Sequence, residues 1–188
     1  MNTVTHPLEP VWNTDSRILI LGTMPSPASR NAGFYYMHPQ NRFWKVMAAV
    51  FGEKMAYTNK GTRTGGISAD VDLESAIKER RELLLRHNIA LWDVLASCDI
   101  NGAADSSIKN AISNDFTEIF ENSEIRWVFC TGKTAFSLWQ KHCAPHYEIS
   151  CDCLPSTSPA NAAWSVEKLT LAYDVLRKTA LFTVPESI

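Results

Sequence analysis

Three short runs of uninterrupted apolar residues constrain the fold of this chain more than any other feature of its sequence. They cover residues 18–21, 89–92 and 127–130. Strands that are buried on both faces, as in a parallel sheet, read as continuous apolar runs of this kind. A fourth segment, residues 147–154, alternates polar and apolar side chains, which predicts an edge strand with one face in water.

Helical patterns fill the intervals between these strands. Apolar residues share one helical face over residues 43–51, and Asp72 is placed to cap a helix that ends near residue 87. Two further helices are predicted, one that begins near Lys133 and one with a strong apolar stripe behind a Ser165 cap. Strands that alternate with helices predict an α/β/α sandwich around a short parallel sheet.

The length of 188 residues, with no internal repeat or convincing linker, predicts one domain over residues 1–188. Within it, residues 59–68 read as a flexible polar loop. No run approaches the roughly 18 apolar residues of a membrane span, and residues 1–7 lack the basic and apolar regions of a signal peptide. We therefore expect a cytoplasmic protein that has no membrane partner.

The net charge of −2 at pH 7 argues against the overall basic surface that most nucleic-acid-binding proteins have. A role on nucleic acid would therefore need a local basic surface. Six basic residues in the first third of the chain are compatible with one: Arg30, Arg42, Lys45, Lys54, Lys60 and Arg63.

Five cysteines without an export signal are typical of reduced thiols. Three of them cluster with two histidines late in the chain, at His142, Cys143, His146, Cys151 and Cys153. The cluster lacks the paired C-x-x-C spacing of common zinc sites. We therefore favour thiols in the core over a metal centre, and we predict neither a metal nor another cofactor.

The segment after the first strand is the strongest candidate for a functional site. Residues 22–26 form a Pro-containing loop, and residues 33–44 bring an aromatic cluster together with His, Asn and Arg side chains. Loops at the carboxyl ends of strands in α/β sheets are where ligands usually bind. Aromatic faces beside amide and cationic groups suit a flat base with polar edges. The alternative is that these aromatic side chains belong to the core.

Three later segments carry weaker signals. Residues 154–162 place two prolines around three hydroxyl residues, which suits contacts with phosphates, although an ordinary connection has the same composition. Residues 130–134 resemble the end of a phosphate-binding loop, but Trp127 occupies the place of a glycine that such a loop requires. Asp93, after another strand, is interpreted either as a catalytic carboxylate or as a helix cap.

Taken together, these segments resemble the uracil-DNA glycosylase superfamily. Its hypoxanthine (deoxyinosine) DNA glycosylase branch has a first motif similar to Gly-Thr-Met-Pro-Ser at residues 22–26, Gly-Phe-Tyr-Tyr at 33–36 and His-Pro-Gln-Asn-Arg-Phe-Trp at 38–44. The second motif of that branch resembles Leu-Pro-Ser-Thr-Ser-Pro-Ala-Asn-Ala at 154–162. The likeness extends over residues 17–176.

The resemblance implies a three-layer α/β/α sandwich with a central four-stranded parallel sheet. It also implies that the chain hydrolyses the N-glycosidic bond of deaminated bases in damaged DNA, above all that of hypoxanthine, after flipping the nucleotide out of the duplex. The matching positions imply a stacking ring at Phe34 and further base contacts from Met24, Pro25, Tyr36 and His38. They imply DNA contacts from Ser26, Ser156, Thr157, Ser158, Pro159, Ala160 and Asn161.

Position 24 distinguishes the branches of the superfamily. Uracil-excising relatives place an Asp or Asn there, where it positions the attacking water, whereas this chain has Met24, whose thioether does not activate water. The deoxyinosine branch also lacks that group, and its catalytically important Asn matches Asn41. The Asn41 amide either donates to O6 or N7 of the departing base or orients a water.

Three other functions remain open on the sequence alone. One is a glycosylase for uracil or mismatched bases that positions water with a different group, and another is a nucleic-acid-binding module without catalysis. The third is a hydrolase of free nucleosides, which the mild net acidity suggests. For an enzyme that acts on a distorted DNA strand, we expect a monomer.

Overall fold

The computed structural model of the chain describes residues 2–64, 71–102 and 104–180, so residues 65–68 of the predicted polar loop lie outside the described residues. The strands are β1 (Asn2–Thr5), β2 (Ile18–Gly22), β3 (Ile89–Asp93), β4 (Leu95–Ile100), β5 (Lys109–Ser113), β6 (Trp127–Thr131) and β7 (Ser150–Leu154). The helices are α1 (Pro27–Ala32), α2 (Phe43–Phe51), α3 (Leu73–Arg86), α4 (Thr117–Glu121), α5 (Lys133–His142) and α6 (Val166–Ala180).

Four parallel strands form the central sheet in the order β3-β2-β6-β7. Ile18 at the start of β2 pairs with Ile89 of β3 and Trp127 of β6, and Trp127 in turn pairs with Ser150 of β7. The carboxyl ends of all four strands therefore meet at one edge of the sheet. β7 is a largely exposed edge strand, as predicted, although it begins at Ser150 rather than at residue 147.

The two faces of β2 bury alternate side chains against different helices. Ile18 and Ile20 belong to a core that is shared with α2, α3 and α6, whereas Leu19 and Leu21 belong to a second core that is shared with α4 and α5. Burial on both faces explains why the strand is an uninterrupted apolar run. The prediction of a three-layer α/β/α sandwich with a four-stranded parallel sheet is confirmed.

Two of the helices, α3 and α6, begin where their capping residues predict. Oδ1 of Asp72 accepts a hydrogen bond from Ser75 N at 2.9 Å, and Oγ of Ser165 accepts one from Lys168 N at 3.3 Å. These side chains provide partners for amides that the first turn of a helix leaves unpaired. The predicted starts of α3 and α6 are confirmed.

An antiparallel sheet in the order β1-β4-β5 is not among the elements that the sequence predicts. Register shifts between Leu95 and Ser97, and between Ser97 and Asp99, interrupt the regular alternation on which a strand prediction depends. Because β4 follows β3 after a single residue, Asp93 does not precede a helix. The interpretation of Asp93 as a helix cap is therefore wrong.

The cysteines only partly match the prediction of core thiols. Cys98, Cys130 and Cys143 are buried, but Cys151 is half-buried and Cys153 is exposed, because both lie on the edge strand β7. The prediction is therefore wrong for Cys153. Within the described ranges, no three His, Cys, Asp or Glu side chains come together in a way that could hold a metal ion. In those same ranges, no helix is long and apolar enough to span a membrane.

Candidate active site

A cavity of about 640 Å³ opens at the carboxyl edge of the central sheet. Its walls come from the residues that follow β2 and β7, from the ends of β3 and β6, and from the segment after β4. This is where α/β sheets usually bind their ligands. All but one of the predicted site residues line it: Met24, Pro25, Ser26, Tyr36, His38, Asn41, Ser156, Thr157, Ser158, Pro159, Ala160 and Asn161.

Phe34 is the predicted site residue that the structure does not bring to the cavity. Its side chain is 2% exposed and stacks on Trp44, with 5.8 Å between the ring centroids. The guanidinium of Arg81 lies over the same ring at 5.8 Å. This ring therefore belongs to the core beside α2 and α3, which corrects the expectation that the extruded base stacks on Phe34.

Tyr36 is an aromatic residue that does line the cavity. Its ring stacks on Phe43 at 4.0 Å with 14° between the planes, and its hydroxyl lies 2.8 Å from Oγ1 of Thr131. Because the Thr131 hydroxyl donates to the Leu21 carbonyl, the Tyr36 hydroxyl is the donor to Thr131. Burial and the nearby Asp93 carboxylate raise the pKa of Tyr36 well above its usual value, so the phenol is neutral.

The backbone of Tyr36 has a φ of +55°, in the left-handed region that bulky side chains rarely enter. Such a conformation costs on the order of 1–3 kcal/mol and occurs preferentially at functional sites. The surrounding contacts with Phe43 and Thr131 hold Tyr36 in this conformation at the cavity wall.

The orientation of the Asn41 amide follows from its two hydrogen bonds. One side-chain atom accepts from Phe43 N at 2.9 Å and from Oγ1 of Thr157 at 3.0 Å. A backbone N–H can only donate, so this atom must be the amide oxygen, Oδ1. The amino group, Nδ2, makes no hydrogen bond to any residue that the structure describes. Asn41 therefore offers the cavity a donor.

The guanidinium of Arg42 joins the two predicted motifs. Nε donates to the carbonyl of Thr157 at 3.2 Å, and the terminal nitrogens donate to the carbonyls of Ser158, Asn161 and Trp164. Through these bonds, the Arg42 side chain holds the loop after β7 beside the start of α2. The sequence is compatible with a place for Arg42 on a basic surface. In the structure, its guanidinium instead positions the loop after β7.

Hydroxyl side chains fold the loop after β7 into tight turns. Oγ of Ser156 accepts from Ser158 N at 3.2 Å, and Oγ of Ser158 accepts from Ala160 N at 3.3 Å. Thr157 is 1% exposed and donates to Asn41, so its side chain supports the amide rather than facing a DNA strand. Pro159 and Ala160 are exposed at the rim of the cavity.

Asp93 lies at the cavity wall and contacts a residue that sequence reasoning missed. Nε2 of His6 lies 2.9 Å from Oδ2 of Asp93, and both side chains are nearly buried. His6 comes from the segment between β1 and β2, well before the first predicted motif, which begins at residue 22. No motif or periodicity at that position announces a role, so no sequence signal could have found it.

Thr23 connects the loop after β2 to the segment after β4. Its hydroxyl donates to Oδ2 of Asp105 at 2.9 Å, and both residues line the cavity. Partial burial raises the pKa of Asp105, an effect that the hydrogen bond from Thr23 opposes. The antiparallel sheet thus supplies one wall of a site that otherwise consists of loops from the central sheet.

Known proteins share both the sequence and the fold. The profile of the family described as the Uracil DNA glycosylase superfamily matches residues 9–178. A hypoxanthine DNA glycosylase from Methanosarcina acetivorans is 30% identical over 157 residues, which are 82% of this chain and 87% of the relative. Another, from Methanosarcina barkeri, is 32% identical over 108 residues, so this match spans only 57% of this chain and 58% of the relative.

A solved structure agrees with these matches. The solution NMR structure of a Methanosarcina acetivorans protein, provisionally named as a uracil DNA glycosylase, has a TM-score of 0.71 and 25% sequence identity to this chain. The similarity covers 93% of this chain and 98% of that one. Since the family profile also extends over most of the sequence, the chain belongs to the uracil DNA glycosylase superfamily.

Proposed function

We propose that this chain hydrolyses the N-glycosidic bond of deoxyinosine in damaged DNA and releases hypoxanthine. Membership in the superfamily makes the chain a DNA glycosylase, a hydrolase of N-glycosyl bonds. The two Methanosarcina relatives named hypoxanthine DNA glycosylase support the choice of base. Met24 supports it as well, because it lines the cavity where uracil-excising enzymes place a water-positioning Asp or Asn.

The observation that carries the proposal is the orientation of the Asn41 amide. Its oxygen is occupied by Thr157 and Phe43, so Nδ2 is the group that it presents to a bound base. Hypoxanthine has acceptors at O6 and N7, and negative charge develops on the base as the glycosidic bond breaks. Of the two roles open to Asn41, donation to the departing base therefore fits better than orientation of a water by the amide oxygen.

The other groups at the cavity support binding of a flipped nucleotide. The Tyr36 ring, backed by Phe43, offers a face on which the extruded base can stack. Pro159 and Ala160, on the hydrogen-bonded loop after β7, are exposed where the lesion-bearing strand would pass. Bond cleavage builds positive charge on the sugar, and the phosphates of the bound DNA stabilise that charge.

The test follows base release from a duplex with a single inosine under single-turnover conditions. We expect the wild-type protein to leave an alkali-labile abasic site, and Asn41→Ala to slow release about 100-fold or more while the duplex still binds. Asn41→Asp keeps the size of the side chain but loses the donor, so it should behave like Asn41→Ala. Unchanged release by a folded variant would remove Asn41 from the mechanism.

Three further measurements separate the alternative functions. Faster release of uracil than of hypoxanthine from otherwise identical duplexes would favour a uracil or mismatch glycosylase. Salt-dependent binding without any abasic product would indicate a nucleic-acid-binding module. Release of base from free deoxyinosine at the rate seen with the duplex would indicate a nucleoside hydrolase.

A further inference from the structure

The nearly buried carboxylate of Asp93 has one oxygen, Oδ1, that has no role in the proposed reaction. The residue lines the cavity and is 3% exposed. Oδ2 accepts from His6, whereas Oδ1 has no hydrogen-bond donor among the residues that the structure describes. Oδ1 is not among the described side-chain atoms that are both fully buried and without a partner, so it stays accessible from the cavity. Oδ1 is therefore available to a donor on a molecule bound in the cavity.

Gly22 makes room for this oxygen. A β-carbon on Gly22 would lie 2.2 Å from Oδ1 of Asp93 and 2.9 Å from the Tyr36 hydroxyl. Gly22 and Asp93 are paired residues at the carboxyl ends of β2 and β3. The missing side chain at Gly22 thus lets the carboxylate and the phenol meet at the same part of the cavity wall.

The His6 imidazole orients the carboxylate as a neutral donor. Nδ1 of His6 accepts a hydrogen bond from the backbone N–H of Leu8 at 3.2 Å, and since an N–H can only donate, Nδ1 carries no proton. The ring proton in this arrangement is on Nε2, which donates to Oδ2 of Asp93. The imidazole therefore fixes the position of the carboxylate through Oδ2 and leaves Oδ1 facing away from the ring donor.

We propose that Asp93 is a specificity-determining residue that accepts a hydrogen bond from the lactam N–H of the extruded base, with His6 as its positioning residue. The inference rests on the proposed function. Hypoxanthine has a carbonyl acceptor at C6 beside an N1–H donor. The cavity offers the complementary pair, a donor at Asn41 and an acceptor at Asp93.

The same pair of groups rejects adenine, whose deamination yields hypoxanthine. Adenine has an amino donor at C6 and a lone pair at N1. Its amino group would therefore face the Asn41 donor, and its N1 acceptor would face the Asp93 acceptor. A site that is built to hydrogen-bond a substrate discriminates strongly against analogues that leave its polar atoms unpaired. Uracil and xanthine share the carbonyl and N–H edge, so this pair of groups does not by itself reject them, and the argument against uracil rests on Met24. Guanine shares it too, so its exclusion depends on the cost of extruding a stably paired base.

A substrate that lacks only the N1 proton tests the contact. Single-turnover release is measured from duplexes with deoxyinosine or 1-methyl-deoxyinosine. For the wild-type protein we expect release of hypoxanthine to exceed release of the methylated base at least about 100-fold, because the methyl group removes the donor and collides with Oδ1. Asp93→Ala should slow release of hypoxanthine about 10- to 100-fold and bring the two substrates within about threefold of each other.

Four further variants separate the contact from structural effects. In Asp93→Asn, the amide oxygen would face the His6 donor and the amino group would face the base, so release of hypoxanthine should fall as far as in Asp93→Ala. His6→Gln keeps a donor and should retain more activity than His6→Ala. Asp152→Asn, on the exposed part of β7, is the matched control and should leave both rates unchanged.

Several results would overturn the inference. One is that the wild-type protein releases hypoxanthine and the methylated base at similar rates. Another is that Asp93→Ala still prefers deoxyinosine over 1-methyl-deoxyinosine as strongly as the wild type does. A third is that Asp93→Asn releases hypoxanthine at the full rate. If the wild-type protein releases no base from the inosine duplex, the proposed function itself fails. If it does release hypoxanthine but the effects of the methyl group and of Asp93→Ala multiply independently, only the contact with Asp93 fails.

Discussion

The hydroxyl of Thr157 donates a hydrogen bond to Oδ1 of Asn41 at 3.0 Å, across 116 positions of the sequence. Thr157 is 1% exposed, whereas Asn41 is half-buried, so the bond is partly buried. Together with the Phe43 amide, it decides which end of the Asn41 side chain faces the cavity. The orientation of the group that meets the base therefore depends on a buried residue in the loop after β7.

Thr157→Val should slow base release about tenfold and change the affinity for an inosine-containing duplex little. The valine keeps the shape of the side chain but leaves the Asn41 oxygen with only the Phe43 amide as a donor. Single-turnover rates and fluorescence anisotropy measure the two quantities. Thr157→Ser keeps the hydroxyl and should recover most of the rate. Equal losses in both variants would leave Thr157 with a packing role only.

Arg42→Lys should loosen the loop after β7, because an ammonium group cannot replace a planar guanidinium that donates to four carbonyls. We expect the free energy of unfolding to fall by about 1–3 kcal/mol and limited proteolysis to cut this loop faster. Lys45→Ala, on the exposed face of α2, is the control and should change neither quantity. Resistance equal to that of the wild-type protein would show that other contacts hold the loop.

Phe34→Ala should act on stability rather than on the base. It removes a buried ring that packs on Trp44, so the free energy of unfolding should fall by about 3–5 kcal/mol. Phe34→Leu refills much of that space and should release hypoxanthine at close to the wild-type rate. Urea unfolding and single-turnover rates give the two results. A stably folded Phe34→Leu variant that is nearly inactive would restore a role for this ring at the base.

Tyr36→Leu should slow base release about 10- to 100-fold, since loss of base–aromatic stacking costs on the order of 1–3 kcal/mol. Tyr36→Phe keeps the ring and should lose much less activity, because the hydroxyl contacts Thr131 rather than the base. The ratio of the two single-turnover rates is the informative measurement. Similar rates for both variants would show that the base stacks elsewhere.

The central sheet could be predicted because its signals are local. An apolar run such as residues 18–21 and a cap such as Asp72 can be recognised from a few neighbouring residues. β4 has no comparable local signal. It pairs with β1, so that Ile100 lies beside Asn2 although the two residues are far apart in the sequence. The register shifts between β4 and β5 also interrupt the alternation of side chains. Pairing between distant segments is not encoded in spacing.

The residues of the site also differ in whether a local sequence signal predicts them. Loops after buried strands could be assigned to one edge of the sheet, which explains why so many predicted residues meet at the cavity. His6 could not be predicted, because its role arises only when it meets Asp93, 87 positions away. Nor could spacing choose between Phe34 and Tyr36. Which ring reaches the cavity depends on the backbone at Tyr36, whose φ of +55° no periodic pattern predicts.

Gly22→Ala should disrupt the cavity wall, because the space beside Gly22 is filled by the Asp93 carboxylate. A β-carbon would lie 2.2 Å from Oδ1 of Asp93 and 2.9 Å from the Tyr36 hydroxyl, so the carboxylate would have to move and its bond to His6 would weaken. We expect the free energy of unfolding to fall by about 1–3 kcal/mol, and base release to fall with it.

The double variant Gly22→Ala/Asp93→Ala shows whether the carboxylate is the obstacle. Shortening the side chain at Asp93 vacates the space that the new methyl group needs, so the double variant should be more stable than the sum of the two single effects predicts. Urea unfolding of the wild-type protein, both single variants and the double variant gives this coupling free energy. Losses that simply add would mean that the substitution at Gly22 strains β2 itself rather than displacing Asp93.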